Sequence, residues 1–72
     1  MYKVIKSEFD HKETSGNTTT IFERVEVVAD TEAEIFAEGF LSDRHAAMGS
    51  VVYAIDTKAA YILNSSGTWV KQ

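Results

Sequence analysis

The sequence contains no cysteine and no proline, and only two histidines, His11 and His45. Lack of cysteine excludes disulfides, thiolate zinc centres and cysteine nucleophiles together. Basic residues are few: seven Lys and Arg stand against eleven Asp and Glu, a net charge of −4. They are also scattered singly (Lys3, Lys6, Lys12, Arg24, Arg44, Lys58, Lys71). Nucleic-acid binding needs clustered cations to displace counterions from phosphates, so no nucleic-acid partner is expected. The longest apolar run, Val51 to Ile55, falls far short of the roughly 20 residues that span a bilayer. The stretch MYKVIKSEFD carries no apolar signal core, so no membrane partner is expected and the protein should fold where it is made.

At 72 residues there is room for one domain. A chain of this size hides only about 60% of the surface that its unfolded form exposes, so its core is thin. Small domains offset this with disulfides, a metal or association. With no cysteine, association with itself or with a partner is the favoured support.

Glycines at 16, 39, 49 and 67 punctuate the chain. Tyr2 to about Lys12 reads as a strand in which Ile5, Ser7 and Phe9 alternate with Lys6, Glu8 and Asp10. Thr14-Ser15-Gly16-Asn17 is turn chemistry. Thr18 to Ala29 is a second strand with Val25, Val27 and Ala29 on one face, opposite Arg24 and Glu26. Thr31 and Glu34 form a capping-box pair, and Glu32 and Glu34 suit the positive end of a helix. The pattern predicts a helix from Glu32 to about Glu38, closed by Gly39 in a left-handed cap and tied to the sheet by Ile35, Phe36 and Phe40. Leu41 to Met48 reads as either a helical turn or an ordered loop.

The last third predicts a three-stranded meander. Ser50 to Asp56 is a strand with Val51, Tyr53 and Ile55 on one face. Asp56-Thr57-Lys58-Ala59 is a tight turn, in which the Asp56 side chain accepts local backbone hydrogen bonds. Ala60 to Asn64 returns, Asn64-Ser65-Ser66-Gly67 turns again, and Thr68 to Lys71 ends the sheet. Tyr53, Tyr61 and Trp69 read as a packed aromatic ladder, with Trp69 closing the core. The expected class is therefore α+β in one domain, 1–72: an N-terminal β-hairpin (1–29), a short helix and loop (31–48) and a C-terminal antiparallel β-meander (50–72).

Catalytic and ligand chemistry is sparse. Asp43, Arg44 and His45 near Ser42 and Ser50 supply the residue types of a triad, but no G-x-S-x-G elbow accompanies them. Asp10, His11 and Glu13 supply metal-ligand types, with His11 and Glu13 sharing a strand face, but no second cluster completes a site. No phosphate-binding glycine loop is present. No enzyme activity, catalytic residue, cofactor or metal is expected. Five strands under one short helix leave apolar area exposed, and contiguous exposed patches mark partner surfaces. The candidate partner-contact residues are Tyr53, Tyr61, Trp69, Phe36 and Phe40.

The residues Gly49-Ser50-Val51-Val52-Tyr53-Ala54-Ile55-Asp56-Thr57, Ala60-Tyr61-Ile62-Leu63-Asn64 and Gly67-Thr68-Trp69-Val70 together resemble a hairpin module of small structural proteins of tailed bacteriophages. That resemblance implies a non-enzymatic virion component, such as a capsid decoration, fibre-base or head–tail joining protein. Its implied partners are itself, as a homo-oligomer, and a major capsid or other virion protein. Its implied location is the virion, after synthesis in the bacterial host cytoplasm. The alternative is a small acidic phage accessory protein that binds and inhibits a host protein, steered by Glu23, Glu26, Glu32, Glu34 and Glu38.

Overall fold

Alternation in the second strand organises the molecule. In a computed structural model that describes residues 1–72, strand β2 runs Thr18–Ala29 and buries Val25, Val27 and Ala29, as its period of two requires. It pairs antiparallel with β1 (Tyr2–Ser15), which extends past the expected Lys12 to the Gly16-Asn17 turn. Gly16 takes a φ of 59° there, a conformation that glycine adopts at no steric cost. The remaining strands are β3 (His45–Ala46), β4 (Val51–Ala54), β5 (Ala59–Leu63) and β6 (Trp69–Lys71).

All six strands belong to one sheet, ordered β1-β2-β4-β5-β6, with β3 also paired to β2. The predicted meander β4-β5-β6 is present and antiparallel. What joins it to the hairpin is a parallel pairing of Glu26–Ala29 with Val51–Ala54. Parallel neighbours need a long crossover, and residues 30–50 supply it.

The crossover corrects the expected fold class. The chain is 56% strand and 7% helical, so it is a mixed β-sheet protein and not α+β. In place of a helix from Glu32 to Glu38 there is a single 3₁₀ turn, Glu32–Phe36. The Glu34 carboxylate does reach back, accepting from the Thr31 N–H at 2.9 Å and the Thr31 hydroxyl at 3.0 Å. The helix nonetheless stops, because Ala37 is already extended and Gly39 and Leu41 take positive φ, 91° and 53°. The segment is a string of tight turns instead, with i+3→i hydrogen bonds closing on Thr31, Glu34, Ala37, Gly39 and Leu41. A helix of two turns gains too little cooperativity to persist. The looser path lets Ile35 and Leu41 both reach the core, at 3% and 5% exposure.

That core lies on one side of the sheet. It comprises Val25, Val27, Ala29, Ile35, Leu41, Val52, Ala54, Ala59 and Tyr61, with Tyr2, Val4, Phe40, Ala46 and Trp69 packed around it. Tyr2 meets Phe40 edge-on at 4.8 Å, Phe40 meets Trp69 at 6.0 Å, and Phe36 meets Tyr61 at 5.5 Å. The Tyr2 hydroxyl accepts from the Leu41 N–H at 3.1 Å. The expected ladder of Tyr53, Tyr61 and Trp69 does not form. Tyr61 and Trp69 line the core side, whereas Tyr53 lies on the opposite face, where its partner is Ala60.

Ser50 closes a gap in this arrangement. β3 pairs with Phe22 and Glu23, and β4 pairs from Glu26 onward, which leaves the Val25 N–H between them. The fully buried Ser50 accepts that N–H on its hydroxyl at 3.0 Å.

Candidate functional site

The second face of the sheet is built by the same alternation that fills the core. With Val27, Ala29, Val52, Ala54, Tyr61 and Leu63 turned inward, Val28, Val51, Tyr53, Ala60 and Ile62 turn outward. They fall into two rows across the strands. One row runs Lys6, Glu26, Val51, Ile62, Val70. The other runs Lys3, Val28, Tyr53, Ala60. From β2 to β6 the face is apolar apart from the Arg24–Glu26 ion pair on β2, and no segment of the chain covers it. Tyr53, Ile62 and Val70 remain 41%, 37% and 42% exposed.

The edges of the sheet are far less suited to docking. Unpaired edge strands invite other strands, and proteins blunt them with bulges and lysines. β1 carries register shifts at Ile5 and Asp10, together with Lys3, Lys6 and Lys12. β6 is three residues long. The sheet therefore presents an accessible face and blunted edges.

The five expected contact residues do not share one surface. Tyr53 belongs to the open face and Phe36 is 64% exposed on the other side, over Tyr61. Phe40 and Trp69 are half-buried against each other. Tyr61 is buried at 5% exposure, and its phenol donates to the Glu32 carboxylate. That bond, with burial second, pushes the Tyr61 phenol up to about 12, and the same bond, aided by Lys71, holds Glu32 below the usual carboxylate range.

The triad residue types are not assembled. The Ser50 hydroxyl is occupied by Val25, Asp43 lies 3.6 Å from the Arg44 guanidinium, and His45 packs on Phe22 with ring centroids 5.6 Å apart. Asp10, His11 and Glu13 do meet: the His11 ring reaches Asp10 at 2.5 Å and Glu13 at 3.0 Å. These bonds, Asp10 foremost, raise the His11 pKa, and the ring stacks on Phe22 at 4.7 Å. The cluster is an exposed ion-pair network; no three ligand-type side chains converge as a metal site would require.

No family model matches the chain, and no curated protein or solved structure matches it. The residues that carry the resemblance to phage hairpins are the strands β4, β5 and β6 and the turns that join them. Asp56 Oδ1 accepts from the Thr57 and Glu32 N–H groups at 2.8 and 2.9 Å. Asn64 Oδ1 accepts from the Ser66 and Thr68 N–H groups at 3.0 and 2.9 Å.

The acidic residues proposed to steer a host partner are dispersed in internal pairs. Glu23 binds Arg44 at 2.6 Å and Glu26 binds Arg24 at 2.9 Å. Glu32 binds Tyr61 and Lys71, and Glu34 binds the terminal amine of Met1. Only Glu38 is left out of this pairing.

Val28, Val51, Ile62 and Val70 of this face are not among the expected contact residues. The signal for them was present: Val27-Val28-Ala29 and Val51-Val52-Tyr53-Ala54-Ile55 are unbroken apolar runs. Strands that are apolar on both faces read that way.

Proposed function

We propose that this protein is a non-enzymatic assembly component that acts through protein–protein contacts on the open face of its sheet. The observation that carries the reading is the continuous apolar surface of Val28, Val51, Tyr53, Ile62 and Val70, lying opposite a thin core. Apolar surface gathered in one place on a small domain marks an interaction site. The blunted edges of β1 and β6 direct a partner to that face.

The setting, a tailed-phage particle on which the protein decorates the capsid or associates with the head, rests on the resemblance of the hairpins between Gly49 and Val70. Co-sedimentation of the purified protein with purified particles tests both parts. Saturable binding that is lost in Ile62→Lys supports the face as the contact. Binding unchanged by Ile62→Lys refutes it, and absence of any binding removes the particle as the setting.

A further inference from the structure

We infer that the open face pairs with a second copy of this chain, sheet on sheet, about a two-fold axis that runs along the strands between β4 and β5. The inference rests on the reading of that face as a docking surface and names its occupant.

The register fixes what such an axis would do. It exchanges β4 with β5 and β2 with β6, and keeps each row of side chains level with itself. Tyr53 and Ala60 are cross-strand neighbours in one row, and Val51 and Ile62 in the other. Each copy's Tyr53 therefore lands on Ala60 of the other copy, and Val51 lands on Ile62. Sheets stack about 10 Å apart, a gap that a tyrosine and an alanine fill together about as well as a valine and an isoleucine. The largest side chain on the face is matched to the smallest, as an isologous contact requires. The other axis available to stacked sheets, across the strands, would set β1 on β1 and bring Lys3 and Lys6 towards their own copies.

Charge and area agree with this arrangement. The lysines of the face, Lys3 and Lys6, lie on β1 outside the overlap, and Glu26, which the axis sets opposite Val70 of the other copy, already has its charge held by Arg24. Its exposed surface of 4833 Å² exceeds the about 4,450 Å² expected of a compact 8.0 kDa monomer. The projecting β1-β2 hairpin and the bare face account for the excess. Four strands about 4.8 Å apart, some four residues long, present about 260 Å² before side-chain relief. With relief and rim, two copies hide on the order of 1,000 Å², the lower end for a specific interface. The dimer should accordingly be weak and visible at micromolar concentrations.

Sedimentation equilibrium over a wide concentration range tests the pairing, with circular dichroism to confirm that every variant is folded. The wild type should dimerise with a Kd on the order of tens of micromolar. Ile62→Lys should weaken it by about 30-fold or more. Tyr53→Ala and Ala60→Tyr should each weaken the dimer, and the two together should restore it, because the swap rebuilds the same large-on-small pair across the axis. A wild type that stays monomeric, or a double variant no better than the singles, overturns the inference. Particle binding separates this failure from that of the functional reading. If the wild type is monomeric but Ile62→Lys still abolishes particle binding, the face docks something other than a second copy. Undiminished particle binding by Ile62→Lys, together with a monomeric wild type, removes the docking face itself.

Discussion

Replacing Ser50 by alanine should cost far more than the loss of one surface hydroxyl. Ser50 is fully buried, and its hydroxyl is the acceptor for the Val25 N–H at 3.0 Å. Val25 is itself fully buried, and no strand residue faces its N–H where β3 has ended and β4 has not begun. Alanine fills nearly the same space, so the cavity contribution is small. The loss is that of a buried donor left unsatisfied, about 1–3 kcal/mol. A domain of this size has about 4–11 kcal/mol of stability in all, so the substitution removes a substantial share. It should lower Tm by about 4–8 °C per kcal/mol lost. Urea unfolding followed by circular dichroism should show a lower midpoint at unchanged slope. Amide hydrogen exchange should show faster exchange at Val25. Ser66→Ala is the control: its hydroxyl bonds Asn64 in an exposed turn, and it should change stability by no more than about 0.5 kcal/mol. A Ser50→Ala protein as stable as that control, with the Val25 amide still protected, would refute the gap-closing role.

Other perturbations report on the ion pairs and turns. The Tyr61 phenol should ionise near 12, seen as an ultraviolet titration step that Tyr61→Phe removes. Because its folded pKa is raised above the ordinary 10, its contribution to stability is complete below pH 10 and lost as the pH climbs towards 12. Glu34 shows the opposite sign. The terminal amine of Met1, followed by Thr31, holds its carboxyl below the ordinary 4.5, so stability present above that pH is lost as the pH falls through the lowered value. Glu34→Gln should flatten the acid limb of a urea-midpoint profile. Lys58 takes a φ of 57° in the β4-β5 turn, a region costly for residues with a Cβ and easier for asparagine. Lys58→Asn should stabilise by about 0.5 kcal/mol, measured by urea unfolding.

Legibility in the sequence followed the range of the forces involved. β2 was readable to its ends, because Gly16-Asn17 and Asp30 bound a strict alternation. The turns at Asp56 and Asn64 were readable because each side chain satisfies backbone groups only a few residues away. The Thr31–Glu34 contact was readable too, yet the helix drawn from it was not correct. Whether that segment coils depends on how Ile35 and Leu41 reach the sheet, which local sequence does not encode. The parallel pairing of β2 with β4 joins segments some 25 residues apart and leaves no local mark. The bulges in β1 at Ile5 and Asp10 likewise cut the alternation expected from Ile5 to Asp10 down to Lys6–Phe9. For the open face the information was present but assigned to one side. The run Val51–Ile55 shows locally that Val51, Tyr53 and Ile55 share one face, whereas its meaning, a strand apolar on both faces, becomes visible only with the sheet order.

The central claim is that the face carrying Tyr53 and Ile62 docks a partner. Hydroxyl-radical footprinting, read residue by residue by mass spectrometry, tests it most directly. Samples would be compared at low and high protein concentration and with purified particles. Tyr53, Ile62 and Val70 should become protected in at least one bound state, while Met48 and Phe36, at 64% exposure each, keep their reactivity. Unchanged labelling of Tyr53 and Ile62 under conditions where binding is measured would contradict the account.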